Sequence, residues 1–204
     1  MLPAKCLIQS LWRKNKDCDE PLDEGDQSIW KDWLEDLMRL SELKLPRCFF
    51  GNTRHEASMQ LHVFADASEM GFGAVCYARY SLPDGTIKVS FVMARKRVAP
   101  LKQLLSIPRL ELQPAVLAVR LYCAVKQELT VNIKDSIFWS DSRTVLQYIA
   151  NEIQRFHTFV ANRVSEIHDT TDPAQWKHVP GHCHSDDCIT VTPTTASGAF
   201  EQQI

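Results

Sequence analysis

Four acidic side chains carry the most chemical promise in this chain. Asp66 closes an apolar run in Phe64-Ala65-Asp66-Ala67-Ser68, and Glu111 stands in Pro108-Arg109-Leu110-Glu111-Leu112. Asp141 follows another apolar run in Phe138-Trp139-Ser140-Asp141-Ser142, and Asp187 lies in His182-Cys183-His184-Ser185-Asp186-Asp187. Carboxylates crowded into one place repel, and each resists ionising unless a cation neutralises the group. Hard oxygen donors of this kind suit Mg²⁺ or Mn²⁺, which keep waters and take up phosphate oxygens. Two such ions about 4 Å apart can activate a water and stabilise a leaving oxygen in phosphodiester cleavage. Taken singly, each acid has a plainer role: Asp66 and Asp141 as turn or cap residues, Glu111 as a first-turn acid favoured by the helix dipole.

Basic residues form a second group. Residues 86–126 carry eight bases (Lys88, Arg95, Lys96, Arg97, Lys102, Arg109, Arg120 and Lys126) against Glu111 alone. Residues 17–42 are the reverse, ten acids against Lys31 and Arg39. The formal net charge of the whole chain is only −2, so total charge announces no nucleic-acid binder. The split nevertheless gives two surfaces of opposite sign, and the basic one can face phosphates through Lys88, Arg95, Lys96, Arg97 and Lys102. Two solvated faces that partly attract each other are the simpler account. A third group is His178, His182, Cys183, His184 and Cys188, whose nitrogen and sulfur donors suit zinc. A zinc finger needs a second spaced pair, which is missing, so His182 reads better as a candidate for proton transfer near the acids.

With 204 residues, 45% of them apolar and 24% charged, the chain has the composition of a globular protein with room for a core. No apolar run approaches the roughly 20 residues of a membrane helix, because Arg120 interrupts the best stretch, Ala115–Val125. Seven scattered cysteines and an N-terminus without a signal-peptide core suggest reduced thiols and an intracellular setting, cytoplasm or nucleus.

The acids need elements to hold them. Residues 1–47 read as a helical appendage, since Ile29, Trp30, Trp33, Leu34, Leu37, Leu40 and Leu43 recur at spacings of three and four, and Pro46 ends the pattern. Its two tryptophans require something to pack against. Residues 48–60 read as a polar linker or edge strand. Leu61–Phe64, Gly71–Tyr80 and Ile87–Ala94 read as an antiparallel meander, the last pair joined by Pro83-Asp84-Gly85. A helix follows, with Ser106 and Pro108 in its first turn and Leu110, Leu117, Leu121 and Val125 on one face. Then come a strand at Ile137–Trp139, a helix at Thr144–Ala150, a helical stripe of Phe156, Phe159, Val160, Val164 and Ile167, and a strand at Trp176–Val179. That order is an α/β arrangement, a mixed sheet flanked by helices. Asp66 and Asp141 become neighbours if their strands pair in parallel, because sites in open sheets gather beyond strand ends.

These strings carry a resemblance. Phe64–Ser68, Arg95-Lys96-Arg97-Val98-Ala99-Pro100-Leu101, Ser106–Leu112, Trp139–Ser142, Phe159–Ile167 and Asp172–Gly181 together resemble the ribonuclease H domain of BEL/Pao-type retrotransposon polyproteins. The resemblance covers residues 61–188, and the helical stretch before Pro46 resembles the segment joining reverse transcriptase to that domain. It implies a ribonuclease H-like, mixed five-stranded sheet flanked by helices, with an N-terminal helical appendage. It further implies metal-dependent hydrolysis of the RNA strand of RNA–DNA hybrids during reverse transcription. Asp66, Glu111, Asp141 and Asp187 would be the ligands of two Mg²⁺ or Mn²⁺ ions, and the reverse transcriptase portion of a parent polyprotein would be a partner. The aspartate–glutamate–aspartate order separates this pattern from the integrase branch of the same fold. The basic run would hold phosphates in a salt-sensitive way.

Three departures bear on the expectation. Pro114, three residues past Glu111, should kink the helix or mark where its regular part begins. Asp186 competes with Asp187 as fourth acid. Residues 189–204 match nothing in the family and are expected to be a disordered tail. A non-catalytic nucleic-acid-binding module and an inert retrotransposon remnant are the alternatives to an enzyme.

Overall fold

The computed structural model describes residues 2–42, 44, 58–68, 70–100, 107–151 and 156–180. Lys102, His182, Cys183, His184, Asp186, Asp187, Cys188, most of the proposed linker and the tail lie outside them.

Five strands make one sheet: β1 (Ser58–Ser68), β2 (Gly71–Ser81), β3 (Ile87–Val98), β4 (Ile133–Ser140) and β5 (Trp176–His178), in the order β3-β2-β1-β4-β5. β1, β2 and β3 form the antiparallel meander, whereas β4 lies parallel to β1 and β5 parallel to β4. The β2–β3 turn closes on Gly85, at φ +84°, which a side chain would strain, while the Asp84 carboxylate accepts from the Thr86 amide at 2.8 Å. β1 is longer than its apolar core suggests. Polar Ser58 and Gln60 join the ladder because backbone pairing with β2 and β4 continues past the buried residues, so residues 58–60 belong to a central strand and not to a linker.

Alternation along the strands sorts two faces. Met59, Leu61, Val63 and Ala65 of β1, with Ala74, Cys76, Ala78 and Tyr80 of β2 and Phe138 of β4, meet helix α3 (Ile107–Glu128) in the main core. α3 supplies Leu112, Ala115, Val116, Ala118, Val119 and Leu121, all buried. Helices α4 (Arg143–Ala150) and α5 (Thr158–His168) add Val145, Ile149, Val160, Val164 and Ile167 to the same core. Trp176 closes it, stacked on Phe138 at 4.8 Å and donating its indole N–H to the Thr171 hydroxyl at 3.0 Å. The opposite face carries His62, Phe64, Val75, Tyr77, Val89, Phe91 and Trp139.

α3 runs unbroken through Pro114, so its regular part does not begin there. The proline removes one N–H from the helix ladder, but the ring is buried among residues that seat α3 on β1 and β2.

Helices α1 (Leu2–Arg13) and α2 (Glu24–Arg39) form the N-terminal hairpin. α1 docks on the sheet: Ala4 and Leu7 are buried, and the Gln9 amide donates to the Ala99 carbonyl at 2.5 Å. Lys14 bridges Asp23 at 3.2 Å and the buried Asp26 at 2.7 Å, and Lys16 pairs with Asp23. The expected stripe on α2 does not find a core. Ile29, Trp30, Leu34, Leu37 and Leu40 are exposed, and the tryptophans Trp30 and Trp33 pack on each other at 4.8 Å. Helical periodicity there organises one face that no described residue covers.

Candidate active site

β1 and β4 bring two of the acids together. Their parallel register pairs Phe64 with Trp139 and Ala65 with Ser140, and Asp66 and Asp141 are the next residue on each chain. Apolar packing fixes this register. Ala65 and Ser140 are buried toward α3, so the alternating Phe64 and Trp139 turn to the other face, where their rings stack at 5.9 Å and 10°. Slipping either strand by one residue would bury an aspartate and expose a core residue. By the same alternation Asp66 falls on the face of Phe64. Both aspartates are half-buried.

Glu111 arrives from α3, five residues into the helix, and is also half-buried. Its Oε2 accepts from the Ser142 hydroxyl at 2.7 Å, which ties α3 to the residue after Asp141. Ser142 is itself the N-cap of α4, accepting from the Val145 amide at 3.2 Å, and its own amide donates to Ser140 Oγ at 3.2 Å. Asp141 thus precedes the N-terminus of α4, where the helix dipole favours negative charge. Pro114 does not swing Glu111 away from β4.

The basic residues do not act as one group. Consecutive strand residues point to opposite faces. Arg95 and Arg97 pair with Ala74 and Phe72, and Lys88 pairs with Tyr80, all three partners facing α3. Lys96 pairs with Gly73, which pairs with Asp66, so Lys96, Gly73 and Asp66 form one row across three strands. A shallow cleft on that face is lined by Phe64, Asp66, Gly73, Ala74, Val75, Ala94 and Lys96. A Cβ on Gly73 would lie 3.4 Å from Lys96 Cγ, so the lysine stem passes over the glycine. The sequence alone gives Gly73 no role beyond its strand, whereas the small polar Ser142 just before the apolar pattern of α4 is a helix-cap signal.

His62 braces the same strands. It is buried, its Nδ1 accepts from the Trp139 indole N–H at 3.1 Å, and the rings lie at 6.1 Å. Burial, helped by the Arg79 guanidinium and opposed by Asp135, pushes its pKa down to about 4.

Asp66, Glu111 and Asp141 are hard oxygen donors, the chemistry that Mg²⁺ and Mn²⁺ prefer. Among the described residues, no three acidic, histidine or cysteine side chains stand close enough to hold an ion without rearranging. Within those limits the donor set fits the ion in kind, and Ser142 already holds one oxygen of Glu111. The fourth acid and His182 lie outside the described residues, as do most members of the zinc cluster, of which only His178 is described. Among the described cysteines, Cys6, Cys18, Cys76 and Cys123 are free thiols, and no described helix is long and apolar enough to cross a membrane.

A family model described as "Pao retrotransposon-like RNaseH-like domain" matches residues 1–142, a span that takes in both N-terminal helices and three of the four acids. No curated protein matches the chain. Among solved structures, RNase H1 from the halophilic archaeon Halobacterium salinarum is 11% identical, with a TM-score of 0.38 over 66% of this chain and 99% of its own. The N-terminal RNase H domain of a Mycobacterium tuberculosis protein is 12% identical, with a TM-score of 0.38 over 73% of this chain and 100% of its own. LC11-RNase H1, solved in complex with an RNA/DNA hybrid, is 8% identical, with a TM-score of 0.40 over 63% of this chain and 90% of its own.

Proposed function

From the premise that this chain belongs to the Pao retrotransposon-like RNaseH-like domain family, we propose that it is the nuclease domain of a retroelement polyprotein, hydrolysing the RNA strand of RNA–DNA hybrids during reverse transcription. Asp66, Glu111 and Asp141 would hold Mg²⁺ or Mn²⁺, with Asp187 as the fourth acid. Bound there, the metal would make a water nucleophilic at neutral pH and neutralise the leaving oxygen.

One observation carries this reading. Two aspartates stand at matching ends of a parallel strand pair, and a glutamate from the covering helix is hydrogen-bonded to the residue that follows one of them. Three acids far apart in sequence have no structural need to lie toward the same end of one parallel strand pair. Around them, the residues of this chain divide the remaining work. Lys96, on the face of Asp66, would contact a phosphate beside the reacting one, which its row with Gly73 and Asp66 supports. Lys88, Arg95 and Arg97, on the other face of β3, and Lys102 would serve more distant phosphates. Such contacts are indifferent to sequence and weaken with salt. His182 remains the candidate for proton transfer. The reverse transcriptase portion of the parent polyprotein would supply the hybrid.

The experiment is direct. A hybrid labelled on its RNA strand is incubated with the full chain and Mg²⁺, and Asp66→Asn and Asp141→Asn are run beside it. Cleavage by the parent and binding without cleavage by the variants is the expected result. Salt-sensitive binding by the parent without any cleavage would replace the enzyme with a non-catalytic binding module, and neither binding nor cleavage would leave an inert remnant.

A further inference from the structure

Ser142 has one hydroxyl proton, and the structure says where it goes. The oxygen accepts from the Val145 amide at 3.2 Å, so a lone pair faces into α4 and the proton is free to point away from it. Glu111 Oε2 lies there, 2.7 Å from the hydroxyl oxygen. That is the ordinary separation of an O–H···O hydrogen bond, with the hydroxyl donating to the carboxyl oxygen. The backbone of Ser142 is pinned as well: its amide donates to Ser140 Oγ at 3.2 Å and its carbonyl accepts from the Leu146 amide at 3.1 Å. The residue therefore has little freedom to follow Glu111; Glu111 must follow it.

We infer that Ser142 is the positioning residue for Glu111, a strut that fixes one carboxylate oxygen of α3 against the end of β4 and leaves the other for the cation. The inference rests on the proposed metal-dependent nuclease function and goes beyond it by naming the residue that sets the ligand geometry. Glu111 sits on a helix seated by the core, whereas Asp66 lies within β1 and Asp141 directly follows Ser140, the last paired residue of β4. Any movement of α3 would shift Glu111 relative to Asp66 and Asp141. A hydrogen bond from the β4–α4 junction couples them. Partners of this kind, one step removed from a metal, typically change its affinity about 10–100-fold when removed.

Ser142→Gly isolates the strut, because glycine caps a helix nearly as well as serine but offers no hydroxyl. Ser142→Thr keeps both cap and donor. The probe is Mn²⁺ alone, followed by the paramagnetic resonance of the free ion in a titration of the full chain without nucleic acid. The Mg²⁺ concentration for half-maximal hybrid cleavage and the urea midpoint are measured alongside. We expect Ser142→Gly to weaken Mn²⁺ binding about tenfold and to raise the Mg²⁺ requirement by a similar factor. Hybrid affinity without metal should stay at the parent value, and Ser142→Thr should return both metal readings to within about twofold. Unchanged Mn²⁺ binding in Ser142→Gly, with binding lost in Glu111→Gln, would overturn the positioning role and leave the metal site standing. Unchanged binding in Glu111→Gln as well, or none in the parent, would overturn the metal site and the strut with it.

Discussion

Acidification should loosen the strand pair that carries the aspartates, and His62 sets the size of the effect. Its Nδ1 accepts the Trp139 indole N–H at 3.1 Å, a bond that exists only while Nδ1 is unprotonated. Burial, with the Arg79 charge assisting and Asp135 opposing, lowers the pKa from 6.5 to about 4. In the unfolded chain the imidazole titrates near its ordinary value. Between the two pKa values the unfolded chain binds a proton that the folded chain refuses, so stability falls as pH drops through that window and this group adds no further loss below it. Each factor of ten is worth about 1.36 kcal/mol, so the full window approaches about 3 kcal/mol, and about 2.5 kcal/mol is gone by about pH 4.5. Against a total of roughly 5–15 kcal/mol for a domain, that is a large share. The assay is urea unfolding at pH 7 and at about pH 4.5, for the parent and for His62→Gln, which offers Trp139 an amide oxygen and does not titrate. The carboxylates titrate in both proteins and cancel in the difference. The variant should start less stable and lose about 2–3 kcal/mol less than the parent on acidification. Equal losses in the two would refute the assignment of a neutral, low-pKa histidine between β1 and β4.

Two further outcomes follow from the same geometry. Pro114→Ala returns an N–H to α3, worth up to about 3 kcal/mol in a helix interior, while deleting two buried methylene groups at about 0.8 kcal/mol each. The variant should therefore gain about 1 kcal/mol in urea unfolding, and a loss would mean that the proline ring contributes more to seating α3 than its missing donor costs. Gly73→Val places bulk 3.4 Å from Lys96 Cγ, so it and Lys96→Met should slow hybrid cleavage to a similar degree and the double variant no further. Additive losses would show that the glycine and the lysine do not act along one row.

How far the sequence reveals this arrangement depends on how local each signal is. Alternation of apolar residues in Ile87, Val89, Phe91 and Met93 and the Pro83-Asp84-Gly85 turn are short-range features, and the meander they indicate is the one observed. The element order indicates a mixed sheet flanked by helices but leaves the partner of β4 open, and its parallel placement beside β1 is read from the structure. What escapes is contact between distant elements. The run Arg95-Lys96-Arg97 reads as one basic patch along the chain, but a strand turns its residues to alternate faces and leaves only Lys96 with Asp66. Pro114 reads as a helix break because propensity is local, whereas α3 is held by a buried face against β1 and β2 that outweighs one lost bond. The stripe on α2 shows the converse: a helical period reveals a face, not whether anything covers it. The hydrogen bond from Ser142 to Glu111 is invisible in the sequence because the two residues are 31 positions apart.

The divided origin of the acids has a mechanical consequence. Asp66 is held by backbone pairing and Asp141 directly follows a paired residue, Ser140, an arrangement that tolerates side-chain changes nearby as long as the register survives. Glu111 is placed by side-chain packing of Leu112, Ala115 and Val116 beneath it, and packing responds to a single methylene. Changes in the α3 core should therefore reach the chemistry first through Glu111, whereas changes in the aromatic layer of His62, Phe64 and Trp139 should act first on the two aspartates. The Ser142 hydroxyl is a polar contact that links the two systems directly at the acids. A site built this way ties two acids to one strand pair and lets the third be set by the helix, which is where the sequence carries its proline.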